Sequence, residues 1–86
     1  MTYEFFKKEV KKIGLQYGIF DTTIIVGNGS KSVYFVSGKE RYNICVRNEF
    51  YKLDESLQKK VFRLVSGLAR TSLDNRGDLY KETRWY

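Results

Sequence analysis

Apolar side chains recur at Tyr3, Phe6, Val10, Ile13 and Tyr17, a three-four alternation that lines one side of an α-helix. The spacing predicts a helix over residues 2–17, with Thr2 as its N-cap, Gly14 as a weak interior position and Gly18 as the terminating glycine. From Thr22 to Val46 the period falls to two. Asn28-Gly29 is a strong hairpin signal, because a type I′ turn needs positive φ at both central residues. Ser37-Gly38-Lys39-Glu40 suits a second two-residue turn with glycine first. These turns set Val26 opposite Lys31, Ile24 opposite Val33 and Thr22 opposite Phe35, then Phe35 opposite Tyr42 and Val33 opposite Ile44. Three strands follow. One face collects Ile24, Val26, Val33, Phe35, Tyr42, Ile44 and Val46. The other carries Thr23, Ile25, Ser32, Tyr34, Val36, Arg41, Asn43, Cys45 and Arg47.

A second helix begins after Leu53, with Asp54 as N-cap and Leu57, Val61, Leu64, Val65 and Leu68 as its apolar stripe, and ends near Arg70. Beyond it, Thr71 or Ser72 can bond orphan helix-end groups, Asp74 can form an Asx turn, Gly77 can take positive φ, and Arg76 can clamp a loop carbonyl or Asp74. The tail LYKETRWY alternates and could add a fourth strand. The expected fold class is therefore α+β. Residues 1–86 form a single domain in the order helix, three-stranded antiparallel sheet, helix, with residues 72–86 as a C-terminal tail. A chain of 86 residues has room for one core.

Charge changes the picture more than size does. Sixteen basic against ten acidic residues leave a formal +6 with no histidine, so the charge barely moves across the physiological range. Residues 1–18, 19–48 and 54–71 each contribute +2, and the tail balances. With no basic arm and no acidic extension, binding has to come from folded surfaces. A single cysteine, Cys45, leaves no internal disulfide, and the N-terminal residues lack the apolar run of a secretory signal, which points to a reducing cytoplasm and no membrane partner.

Candidate chemistry is sparse. Without histidine, catalysis would fall to carboxylates, lysine, tyrosine or Cys45. Asp54-Glu55 sits where helix starts favour acids, Asp74 and Asp78 sit in a loop, and Cys45 has no histidine to activate it. One cysteine and no histidine make no zinc constellation, and the glycines of VGNGSKS do not have the spacing of a phosphate loop. The expectation is a protein that is not an enzyme and takes no cofactor.

Binding surfaces remain. Two helices cover one face of a small sheet, and the other face is left for solvent, the tail or a partner. On it, Tyr34 with Arg41, Asn43 and Arg47 offers the aromatic and cationic groups that single-stranded nucleic acid uses. A second candidate is the ridge formed by Lys7, Lys8, Lys11 and Lys12, placed opposite the apolar stripe of the first helix, where it could track phosphates.

LARTSLDNRGDLYKETRWY resembles the C-terminal segment of small uncharacterised prophage-encoded proteins of Gram-positive bacteria, which carry a helix end, then Thr-Pro-Leu/Ile-Asp-x-Arg and a charged aromatic tail. Thr71, Leu73, Asp74 and Arg76 match, and Ser72 stands where proline is usual. The resemblance covers the last fifth of the chain. It implies a phage or mobile-element origin in a bacterial cytoplasm and carries no activity or site residues with it. The leading functional expectation is a non-enzymatic nucleic-acid-binding protein. The alternative is a protein-binding module that modulates a host or phage protein through the open sheet face, and a homodimer joined across that face is compatible with either.

Overall fold

The structure, a computed structural model, describes residues 1–79. Helix α1 spans Tyr3–Lys12, strands β1 to β4 span Gln16–Phe20, Thr23–Asn28, Lys31–Ser37 and Ile44–Val46, and helix α2 spans Glu55–Arg70. Short 3-10 turns occupy Asn48–Lys52 and Leu73–Asn75. The four strands form one antiparallel sheet in the order β1-β2-β3-β4. The α+β class is as the chain pattern predicts, with a fourth strand in addition to the three read from sequence. Of the expected tail strand, residues 79–86, Leu79 lies in a turn and the rest falls outside the described residues.

The helix starts follow local chemistry. Thr2 Oγ1 accepts from the Phe5 amide at 3.1 Å, and Asp54 Oδ1 accepts from the Leu57 amide at 2.9 Å, each satisfying a donor that a helix start leaves orphaned. The end of α1 differs from expectation. The helix stops at Lys12, not Tyr17, and Gly14 follows the cap residue Ile13 with φ +87°. A left-handed glycine just past a helix is a terminator, so Gly14 is the stop that Gly18 was expected to supply. Tyr17 is buried because it belongs to β1, and the helical spacing runs through Ile13 and Tyr17 by coincidence of period.

The β2–β3 register also departs from the predicted one. Asn28 pairs with Lys31 around a Gly29-Ser30 loop, and the register shifts between Val26 and Gly27, so that Val26 faces Tyr34, Ile25 faces Phe35 and Ile24 faces Val36. That bulge moves β3 by one residue relative to β2, and a one-residue shift exchanges faces. Tyr34 and Val36 therefore point into the core, Phe35 turns to the open face, and Val33 is buried at the bulge. The second turn is longer than two residues. The Ser37 amide donates to the Asn43 carbonyl at 3.0 Å, and β4 pairs Tyr34 with Val46, Phe35 with Cys45 and Val36 with Ile44. Tyr42, expected in the core, lies in the connecting loop with φ +66° and is exposed.

Both helices pack on one sheet face. Tyr3, Phe6 and Val10 of α1 and Val61, Val65 and Leu68 of α2 join Tyr17, Ile24, Val26, Tyr34 and Val36 in one core. Each fully buried aliphatic or phenyl side chain here contributes about 1.5–3 kcal/mol relative to exposure. The order is two-layered, with helices on one side and an uncovered sheet face, among the described residues, on the other.

The carbonyls at the end of α2 are met one by one. Thr71 Oγ1 donates to Gly67 O, the Thr71 amide to Leu68 O, the Tyr42 amide and Arg76 Nη2 to Ala69 O, and Arg41 Nε to Arg70 O. Arg76 is fully buried and also reaches Thr71 O at 3.0 Å and Ser37 O at 2.7 Å. Its charge sits at the negative end of the helix dipole, where a cation is favoured. Of the two partners expected for Arg76, the loop carbonyl is the one it takes.

Candidate functional site

Four residues were expected together on the open face, and the structure separates them. Tyr34 is buried, its ring edge-on to Phe50 with centroids 5.1 Å apart, so no base can stack on it. This corrects its assignment as a stacking residue, and the cause is the bulge after Val26. Arg41 lies in the loop before β4, with its Nε on the Arg70 carbonyl and its guanidinium 4.8 Å from the Tyr42 ring centroid. It caps α2 and is not on the sheet. Asn43 is exposed and donates from Nδ2 to Glu40 at 3.2 Å. Arg47 alone of the four stays on the open face.

There it meets a residue that sequence reading put inside. The Arg47 guanidinium carbon lies 5.0 Å from the Phe35 ring centroid, within the range of a cation–π contact. Around this pair runs a groove of roughly 300 Å³ lined by Lys31, Ser32, Asn48, Glu49 and Lys52. Three cations face one carboxylate. That carboxylate is weakly held: Glu49 Oε2 accepts from Asn28 Nδ2 at a long 3.5 Å, and the buried Oε1 lies 3.8 Å from Lys52 Nζ with no hydrogen-bond partner. The groove is set by local structure at both ends, with the Gly29-Ser30 turn presenting Lys31 and the 3-10 turn after β4 presenting Asn48 and Lys52.

From the groove the open face continues over uncharged ground. Phe35, Ile25 and Gly18 are successive partners across β3, β2 and β1, and Cys45 closes the row on β4. Phe20, two residues beyond Gly18 and on the same face, is 75% exposed, more than any other large hydrophobic residue described. Sequence reading missed Phe20, Phe35, Lys31 and Lys52. One signal was present: an isolated glycine inside a strand, Gly27, is a common mark of a bulge, and a bulge there puts Phe35 beside Arg47.

The lysines of α1 do not form the single outward ridge expected of Lys7, Lys8, Lys11 and Lys12. Lys7 is 6% exposed, with Nζ 5.6 Å from the Tyr17 ring centroid. Its aliphatic stem packs inward while its neighbours stay in solvent. Lys12 pairs with Glu9 at 3.4 Å, and Lys8 and Lys11 are exposed. A larger concavity, roughly 730 Å³, runs between α1 and residues 76–78. Glu4, Glu9 and Asp78 interleave there with the four lysines, so its field is more evenly mixed than that of the sheet groove, which has one carboxylate.

Among the described residues no group of three or more potential metal ligands gathers, and no helix is long and apolar enough to cross a membrane. Comparison with protein-family models, with curated proteins and with solved structures finds no match.

Proposed function

We propose that this is a non-enzymatic nucleic-acid-binding protein that uses its open sheet face, with the Phe35–Arg47 pair as the stacking platform and Lys31 and Lys52 as phosphate contacts. The observation that carries the reading is the guanidinium of Arg47 held 5.0 Å over an aromatic ring, on the face that the helices leave uncovered, in a groove bordered by two lysines. A nucleobase stacks on either a ring or a guanidinium plane, and the neighbouring phosphates require cations. The site needs no catalytic group and no cofactor. A phage or mobile-element origin and a bacterial cytoplasm, implied by the resemblance at Thr71 to Arg76, belong to the same proposal.

Fluorescence anisotropy with labelled single-stranded oligonucleotides at low salt tests it. Phe35→Ala lowers affinity by about 1–3 kcal/mol through lost stacking, whereas Tyr34→Phe, a change inside the core, leaves affinity unaltered. Absence of binding at low salt overturns the reading and passes the face to the alternative, a host or phage protein partner. Equal effects of the two substitutions place the site elsewhere.

A further inference from the structure

Independently of that reading, we infer that the outer edge of β4, beside the flank of α2 that carries Phe62, takes an extended peptide of a partner protein as an added strand. The peptide has apolar residues at alternate positions, followed by acidic ones.

Backbone bonding decides which groups the edge offers. The Asn43 carbonyl accepts from the Ser37 amide at 3.0 Å, and the Arg47 amide donates to the Val33 carbonyl at 2.9 Å. Bonding alternates along an antiparallel strand, so Cys45 also turns to β3, while Ile44 and Val46 direct their amides and carbonyls the other way. No strand lies on that side, because β4 is last in the sheet. Among the described residues these outward groups meet no backbone partner, and the Cys45 thiol lies 3.8 Å from the Val46 carbonyl. A row of unpaired amides and carbonyls is a template for one more strand.

Side chains add an apolar border. Val46 pairs with Tyr34 and Ile44 with Val36, and both partners are buried under the helices. Val46 and Ile44 therefore point to the helix side, yet Val46 is 39% exposed and Ile44 is only partly buried. Helix α2 packs over β3 and β4 without closing over this edge. Phe62, 50% exposed, stands two helical turns before Ala69 and on the same side of α2. The Ala69 carbonyl accepts from the Tyr42 amide, just before β4, at 2.9 Å, so the side that carries Phe62 borders β4. Residues of an added strand opposite Ile44 and Val46 share their face. Apolar side chains at those alternate positions would lie between the edge and Phe62.

Charge selects among occupants. Arg41 and the exposed Arg70 meet at the Ile44 end, where Arg41 Nε donates to the Arg70 carbonyl. Glu40, close by, is engaged by Asn43 Nδ2 at 3.2 Å. An antiparallel peptide reaches this end with its C-terminal residues, and acids there complement the two arginines. A second copy of the chain would bring +6 against +6, and a nucleic-acid strand has no ladder of amides and carbonyls to pair with the edge.

NMR titration of isotope-labelled protein with the blocked peptide Thr-Val-Thr-Val-Glu-Glu, its valines opposite Val46 and Ile44, tests the site. The amides of Ile44 to Val46 and of Phe62 are expected to shift, and those of Lys31 and Lys52 to stay. N-methylation of the valines removes the donors to the Ile44 and Val46 carbonyls and lowers affinity about tenfold, whereas N-methylation of the threonine between them changes it less than about twofold. Val46→Pro removes an outward amide and no bond to β3, and lowers affinity by a similar factor. Replacing both glutamates of the peptide by lysine weakens binding about tenfold. Equal losses from methylating valine and threonine, shifts confined to Lys31 and Lys52, or no shift at millimolar peptide each overturn the edge site and leave the nucleic-acid reading untouched. Shifts of Ile44 and Val46 that grow with protein concentration alone make a second copy the occupant and overturn it as well. Intact peptide shifts in a protein that binds no oligonucleotide sink the open-face reading and keep this one.

Discussion

The guanidinium of Arg76 donates to the carbonyl of Ser37 at 2.7 Å across 39 residues of chain, and through its other nitrogens holds the carbonyls of Thr71 and Ala69. One side chain thus joins the end of β3 to the end of α2, and the Arg76 carbonyl accepts from the Tyr3 amide at the start of α1. Replacing it leaves the Ser37 and Thr71 carbonyls without this donor, at a cost of about 1–3 kcal/mol each, while Ala69 keeps the Tyr42 amide. Arg76→Met should therefore destabilise the domain by about 3 kcal/mol or more. Arg76→Lys recovers little, because an ammonium cannot reach carbonyls in three directions as a planar fork does. Urea denaturation of both variants checks this, and a loss below about 1 kcal/mol for Arg76→Met would contradict the clamp.

Neighbours on β3 should respond in opposite ways. Tyr34 fills the core against Phe50, so Tyr34→Ala should cost about 3–5 kcal/mol, in the range of large aromatic truncations. Phe35 faces outward and is only partly buried, so Phe35→Ala should cost about 1 kcal/mol in stability while weakening binding. Chemical denaturation of the pair settles the phase of the strand. The reverse order of cost would restore the register without the bulge.

Stability should depend on alkaline pH through Tyr34. Burial first, and the nearby Tyr51 second, raise its hydroxyl above the ordinary value of 10.0. Between the unfolded and folded pKa values the native state keeps a proton that the unfolded state has lost, so stability falls as pH rises from about 10 upward through the folded value. The contribution is fully present below about pH 10. Tyr34→Phe has no such proton and should decline less steeply over that window. Thermal melts of both proteins from about pH 8 to about pH 11 would show the difference, and parallel curves would remove the argument.

Gly38 is held by space, not by φ. Its amide donates to the Thr22 carbonyl at 2.7 Å, and a Cβ there would run into that same carbonyl oxygen and lie 3.0 Å from Leu79 Cδ2. Gly38→Ala must push β2 away from β3 or rebuild the loop, and should cost about 1–3 kcal/mol. Gly14→Ala meets no neighbour and should cost only the about 1–2 kcal/mol of a left-handed residue with a Cβ. Thermal shifts of the two variants would rank them, and no loss for Gly38→Ala would mean the loop is freer than its contacts indicate.

Salt separates the cations of the groove from those of α1. Lys31→Gln, Arg47→Gln and Lys52→Gln should each flatten the dependence of log affinity on log salt for a single strand by roughly 0.7. Lys12→Gln, on α1 and outside the groove, should change it little. Anisotropy titrations across a range of salt would measure both. A steeper loss from the α1 lysines than from the groove would move the site to the helix.

Much of the fold was legible because it rests on short-range chemistry. Thr2 and Asp54 cap the helices they were expected to cap, the apolar stripe of α2 is buried where its spacing put it, and Ile24 and Val26 face inward as the alternation of β2 requires. Gly77 takes its positive φ, and Thr71 bonds the helix end. These are properties of a residue and its neighbours within a turn or two.

The phase of β3 was a different kind of question. Val33-Tyr34-Phe35-Val36 is apolar on both parities, so hydrophobicity alone cannot say which set faces the helices. Only the bulge at Gly27 and the packing of Phe50 on Tyr34 decide it, and both depend on residues that meet after the chain has folded. The first helix was ambiguous for a related reason. Tyr17 satisfies a helical period and a strand period equally, and Gly14 ends α1 because pairing of Gln16–Phe20 with β2 offers the following residues more hydrogen bonds and burial than another helical turn would. The order of residues along the chain determined a basic α+β domain with helices for one face of its sheet. Tertiary structure decided that Phe35, and not Tyr34, stands on that face beside Arg47, because one extra residue in a strand exchanges inside for outside.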